Sequence, residues 1–288
     1  MPIFYDMDTI ERREEVRTEA VEMQNEERSA IIVGASSGIG YETALRLIGR
    51  GLNVFNISRT PCALRQIHNY TADVADGDSL ERAICEAALS AEGIYGLIYC
   101  AGFSMAAPIE YASEKDYRYL FEINYFGALR AIRAIVPFLK EKGGRIILVS
   151  SMASIFPIAF DCFYSSSKAA VDMLVKGASI ELEPYHIHVS SIQPGGTSTA
   201  FTFKRKIYSD IESGEYAPKV KRAAEALARM EQGGMSAGEV AKAVVEAFCE
   251  KNPPLLLQCG GWNKFYAVAK RVLPEKTAHY LNRKVYRQ

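Results

Sequence analysis

A tyrosine and a lysine four residues apart, Tyr164 and Lys168, lie downstream of Ser151 in this chain. In a helix, residues at that spacing share a face. The Lys168 ammonium then lies beside the Tyr164 phenol and favours its ionised form, which makes the phenol a usable acid or base near neutral pH. Spacing alone does not choose this pair, because Tyr111/Lys115, Tyr266/Lys270 and Tyr280/Lys284 match it. Context does. The run Arg145-Ile-Ile-Leu-Val149, preceded by Gly143-Gly144, reads as a buried strand that delivers Ser150 and Ser151 at its carboxyl end, the edge where open α/β sheets bind ligands. The other three pairs follow no comparable strand and read as ordinary surface.

A second constellation lies near the start. Gly34-Ala35-Ser36-Ser37-Gly38-Ile39-Gly40 follows the apolar Ile31–Val33 and opens a helical stretch that continues through Leu45 to Arg50. Glycines at such a turn permit close backbone approach to a pyrophosphate, and the helix N-terminus offers free N–H groups and a positive dipole end. The next strand ends at Asn56-Ile57-Ser58-Arg59-Thr60. Ser58 stands where an acid would hold a ribose 2′-hydroxyl, and the Arg59 guanidinium suits a 2′-phosphate. This favours NADP(H). NAD(H) is the alternative, with Arg59 stacked on adenine.

These turns need a scaffold, and the chain supplies its pattern. From Ala30, β-rich apolar runs alternate with helical stretches: Ile31–Val33, Asn53–Ser58, Gly96–Cys100, Arg145–Val149, His188–Gln193 and Leu255–Gln258, with a seventh short strand near Tyr70–Ala72. Such alternation predicts an α/β fold, a Rossmann-type doubly wound parallel sheet of about seven strands. The divisions are a charged N-terminal helical extension over 1–28, a single Rossmann-type domain over 29–260, and a basic, aromatic segment over 261–288 that packs on it. The 288 residues are 49% hydrophobic, enough for one large core, and 34 basic residues balance 34 acidic ones. Zero net charge gives no reason to expect a nucleic-acid partner. The 6 cysteines form no C-x-x-C pair and read as reduced core residues. With no apolar run of about eighteen residues and no signal-like start, the expectation is a cytoplasmic protein without a transmembrane segment.

Taken together these residues resemble the short-chain dehydrogenase/reductase family from about Ser29 to Leu257. Gly34 to Gly40 is similar to its Gly-x-x-x-Gly-x-Gly turn, with Val33 in place of the usual threonine. Asp73-Val74 matches its adenine-contacting acid, and Tyr99-Cys100-Ala101-Gly102 takes the place of Asn-Asn-Ala-Gly, keeping Ala101 and Gly102 for the cofactor ribose. With both asparagines lost, side-chain bracing of the sheet must come from elsewhere. The resemblance assigns Asn124, Ser151, Tyr164 and Lys168 as catalytic. It assigns Pro194, Gly195, Thr197 and Thr199 to the nicotinamide carboxamide. It implies that Tyr164 exchanges the proton, Lys168 stabilises tyrosinate and bonds the nicotinamide ribose, Ser151 bonds the oxyanion, and Asn124 holds a water linking Lys168 to solvent. No metal is required; His186 and His188 lack an evident third ligand.

Phe103, Met105, Met152, Phe156 and Phe160, with a lid over Phe201–Tyr216, are expected to line the substrate pocket. Such walls suit a bulky apolar alcohol or ketone. The resemblance points to hydroxysteroid dehydrogenase-like members. Two alternatives stand: a 3-oxoacyl thioester reductase whose acidic carrier meets Lys204, Arg205 and Lys206, and a non-catalytic dinucleotide-binding regulator. The resemblance also implies a homo-oligomer, a tetramer built through helices around Ser113–Lys140 and Cys162–Leu182. The acidic stretch Asp8–Arg28, complementary to the basic Lys264–Gln288, is expected to dock on a neighbouring subunit.

Overall fold

The computed structural model describes residues 28–285. Seven parallel strands form one sheet: β1 (Ser29–Val33), β2 (Asn53–Ser58), β3 (Ile67–Thr71), β4 (Ile94–Tyr99), β5 (Gly144–Val149), β6 (Ile187–Gln193) and β7 (Leu256–Gln258). Their order is β7-β6-β5-β4-β1-β2-β3. The chain leaves β1 toward β2 on one side and returns to β4 on the other, so a crevice opens beyond the carboxyl ends of β1 and β4.

Side chains on a strand alternate between faces, and here both faces are covered. Ile31 and Val33 of β1 enter one core with Leu80 and Ile84 of α2 (Gly77–Ser90), Ile132 and Ile135 of α4 (Gly127–Leu139), and Val171 and Val175 of α5 (Cys162–Leu182). Ala30 and Ile32 enter the other with Leu47 of α1 (Gly38–Ile48) and Val240, Val244 and Phe248 of α7 (Ala237–Cys249). The seventh strand begins earlier than expected, at Ile67 rather than near Tyr70. It is an edge strand with one buried residue, Ile67, so it has no apolar run to read; His68 is held instead by stacking on Phe55 at 4.7 Å.

One long helical arm is interrupted at its centre. α3 (Glu114–Phe121) runs through a π turn at Glu122–Phe126 into α4. A π turn inserts one extra residue into the ladder and is frequently found at functional sites; this one carries Asn124. After α6 (Ala217–Gln232) and α7, two C-terminal helices, α8 (Gly261–Val272) and α9 (Glu275–Val285), pack back on the domain. Asn282 ties α9 to the main body by donating to the Pro157 carbonyl at 2.8 Å. The expected docking of Asp8–Arg28 on a neighbour lies, but for Arg28, outside the described residues. Among the described residues no helix is long and apolar enough to cross a membrane.

Candidate active site

The nucleotide turn is shaped by side chains beneath it. Asn56, fully buried near the end of β2, accepts from the Ala35 N–H at 2.9 Å and donates to Ser58 and Asn69. Gly40 is required because a Cβ there would fall 2.2 Å from the Gly34 oxygen. α2, α3 and α7 begin on capping side chains, Asp76, Ser113 and Ser236, which accept from their own first-turn amides. α1 does not: Ser37 makes no side-chain cap bond and no acid occupies the first turn. Its free amide groups therefore stand at the cavity wall, the donor set an anion needs. A glycine cradle with uncapped amides fits a dinucleotide pyrophosphate.

The chemistry-bearing residues meet where β5 ends. Ser151 hydrogen-bonds the Tyr164 phenol and accepts from the Ala153 N–H at 3.1 Å. Burial raises the phenol above the ordinary tyrosine range, against the opposing pull of Ser151, so Tyr164 is held protonated. This differs from the expected ionised form: the Lys168 Nζ stands 5.7 Å from the ring centroid and donates to the Val149 carbonyl at 2.9 Å. Burial lowers Lys168 to about 8, while Asp172 one turn on works in the opposite sense. Asp172 accepts from Ser191 at 2.6 Å and Gln193 at 2.5 Å.

Asn124 stands behind this group rather than on the cavity wall. Its amide donates to the Phe103 carbonyl at 2.8 Å and Ser167 at 2.9 Å, and its oxygen accepts from the Phe103 N–H at 2.8 Å. It brackets the loop after β4 against α5. The bracing missing from that loop comes from Tyr99, whose buried hydroxyl donates to the Ile123 carbonyl at 2.5 Å inside the π turn. Burial pushes the Cys100 thiol up to about 12, which keeps it un-ionised.

Every expected cofactor-facing residue, from Gly34, Ser36, Ser37, Gly38, Ile39 and Gly40 through Arg59, Asp73, Val74, Ala101 and Gly102 to Pro194, Gly195, Thr197 and Thr199, borders one cavity of about 1140 Å³ together with Ser151, Tyr164 and Lys168. Arg59, largely exposed, reaches toward Tyr119 at 3.5 Å and Asp73 at 4.0 Å. The apolar end differs in part from expectation. Phe103, Met152 and Phe156 line it. Met105 is instead fully buried as part of a two-residue parallel strand pair, Met105–Ala106 with Lys206–Ile207, and Phe160, at φ 61, turns against Tyr216. The same pairing pins the expected lid. Tyr208 is buried with its hydroxyl on Asp116 at 2.7 Å, and only the part from Phe201 to Arg205 reaches the cavity. Of the three expected carrier-binding cations, Arg205 is buried on Glu231 and Lys206 pairs with Asp116 at 2.5 Å. That weakens the thioester reading.

Sequence reasoning missed Asp161, Glu231 and the C-terminal helices, whose Phe265, Tyr266 and Leu273 complete the apolar end. The polar residues carried no motif. The helices offer a signal, the aromatic residues of 261–288, but the sequence reads them as packing and basic docking surface, and Tyr266 as ordinary surface, whereas Tyr266 lines the cavity.

A dinucleotide cradle beside a protonated tyrosine, a serine and a buried lysine defines the class: a dinucleotide-dependent oxidoreductase acting at a carbonyl or alcohol. Comparison with known proteins agrees. The family model for short chain dehydrogenase matches residues 28–207. A 3-ketodihydrosphingosine reductase of Bacteroides thetaiotaomicron is 30% identical over 262 residues, 89% of this chain and 97% of that protein. The 11-beta-hydroxysteroid dehydrogenase type 2 of Homo sapiens is 32% identical over 181 residues, 58% of this chain and 45% of its own length. The crystal structure of a short-chain dehydrogenase from Streptomyces avermitilis superposes with a TM-score of 0.77 at 26% identity, covering 90% of this chain and 96% of the other. The chain belongs to the short-chain dehydrogenase/reductase family and is an NAD(P)(H)-dependent oxidoreductase.

Proposed function

We propose that this protein reduces the ketone of a long apolar substrate with NADPH, a 3-keto sphingoid base being the favoured chemistry. The observation that carries the reading is the Ser151–Tyr164–Lys168 group at the junction between the nucleotide cradle and an apolar end of the same cavity. The choice of substrate rests on where that end is built. Leu227, Met230, Phe265 and Leu273 lie beyond the residues the family model matches. An alignment over 89% of the chain must include much of that region. A hydroxysteroid, the reading drawn from sequence, remains second; the steroid dehydrogenase match covers only 58% of the chain.

In this reading Tyr164 gives its proton to the ketone oxygen, which suits a phenol held protonated by burial. Ser151 hydrogen-bonds the same oxygen as negative charge gathers there. Lys168, with one N–H on Val149, has two others for the nicotinamide ribose and for proton return. Asn124 fixes the loop that carries Ala101 and Gly102, and would hold a water that links Lys168 to solvent. The Pro194–Thr199 segment holds the carboxamide, and Arg59 holds a 2′-phosphate. When bound, the nicotinamide supplies hydride to the carbonyl carbon. The test is a panel of 3-ketodihydrosphingosine, a 3-ketosteroid and acetoacetyl-coenzyme A, each with NADPH and NADH. Preferred oxidation of NADPH by the first supports the reading; preference for either of the others overturns it.

A further inference from the structure

Beside Tyr164 lies a buried charged cluster that the catalytic scheme does not use. Asp161, the residue before α5, is 1% exposed, Arg205 7%, and Glu231, at the end of α6, 9%. Arg205 donates to Glu231 at 2.5 Å and to Ser104 at 3.0 Å; Ser104 donates to Asp161 Oδ2 at 2.9 Å, which lies 3.8 Å from the guanidinium. The Met105 amide also supports the Asp161 carboxylate. One guanidinium thus faces two carboxylates. One oxygen of each acid, Asp161 Oδ1 and Glu231 Oε2, is buried without a hydrogen-bond partner among the described residues. All three charged residues border the cavity that holds Tyr164.

A buried acceptor left unsatisfied costs about 1–3 kcal/mol, and more when charged. A purely structural ion cluster has no use for such a cost on a pocket wall. Burial raises Asp161 to about 7 against the pull of Arg205, and the neighbouring Glu231 adds to the rise. Both carboxylates raise the Tyr164 phenol further, and both line the cavity that it faces. What the cluster lacks is one cationic group with several N–H donors.

We propose that Asp161 and Glu231 form a subsite for a primary ammonium group on the substrate, so that the pocket selects amino ketones over neutral ketones of the same length. The placement of the ketone at Tyr164 rests on the proposed reductase reading; the ammonium subsite itself does not. Arg205 holds the two acids apart and in register, and Ser104 links Arg205 to Asp161. The apolar walls of Phe156, Leu227 and Met230 then take the chain that follows.

Binding separates the two ideas. Calorimetry on the full chain with NADP⁺ at neutral pH, using n-decylamine and 1-decanol as probes, is expected to show the amine binding at least about tenfold tighter, since a charged hydrogen-bonding partner is lost in the alcohol. Glu231→Gln and Asp161→Asn should each remove most of that preference. Equal affinity of amine and alcohol for the unaltered protein overturns the subsite, whether or not the variants fold. So does a preference that persists in both folded variants. If the preference holds but no keto sphingoid base is reduced, the subsite stands and the reductase reading falls. If 3-ketodihydrosphingosine is reduced without any amine preference, the reductase reading stands and the subsite falls.

Discussion

Replacing Tyr164 by phenylalanine removes one oxygen from a site whose other contacts remain. The ring stays buried on α5, with Phe201 at 5.9 Å between centroids, so no cavity opens. The lost hydrogen bond to Ser151 is worth about 1 kcal/mol. Relief of burying a hydroxyl offsets part of it, and the melting temperature should move little. The proton donor is another matter: removing a general acid typically costs about 10²- to 10⁴-fold, or roughly 3–5 kcal/mol of transition-state stabilisation. Steady-state NADPH oxidation with the best ketone of the panel should therefore collapse, while NADPH affinity, measured by fluorescence titration, stays near that of the unaltered protein. Tyr111→Phe and Tyr280→Phe, outside the cavity, should keep full rates, although each tyrosine has a lysine at the same spacing. If Tyr164→Phe keeps more than about a tenth of kcat/KM, the proton does not come from this phenol.

Lys168 is lowered from 10.5 to about 8, so it is charged below that pH and neutral above it; kcat/KM for ketone reduction should fall as pH rises through about 8, and an unbroken rate across that window in a pH profile would remove Lys168 from the mechanism. Arg59→Ala should raise the KM for NADPH about tenfold more than that for NADH, because only the phosphate contact is lost; equal changes in the two KM values would refute the assignment. We further propose assembly through α5, whose exposed Ala169, Met173, Gly177 and Ile180 follow one another at helical spacing on one face. Met173→Glu with Ile180→Glu should reduce the mass measured by light scattering from tetramer toward dimer or monomer, and an unchanged mass would exclude that face.

The parts of this molecule that were legible in its sequence are those where one local rule governs. Strands buried on both faces read as apolar runs, and a glycine turn between strand and helix reads as a nucleotide cradle because both requirements fall on contiguous residues. β3 was misplaced because an edge strand needs little burial. Met105 and Phe160 were assigned to the pocket because an apolar side chain near a motif looks the same whether it faces a cavity or the core; a two-residue strand pairing made from a distant segment decides the matter. Arg205 reads as a surface cation beside Lys204 and Lys206, and only the fold brings Asp161 and Glu231 to it. The ionisation of Tyr164 was also beyond local reading. Helical spacing placed Lys168 near the phenol, but burial governs the proton.

The contact between Tyr99 and the π turn constrains which side chains the turn can carry. A Cβ at Gly127 would lie 2.3 Å from the Tyr99 hydroxyl, so a tyrosine at the end of β4 and any larger residue at 127 exclude one another. The carbonyl oxygens of Val74 and Glu122 would stand 3.2 and 3.3 Å from the same Cβ, so the position is closed on three sides. Gly127→Ala would have to push the Tyr99 hydroxyl off the Ile123 carbonyl, and the loop that carries Ala101 and Gly102 would lose its brace.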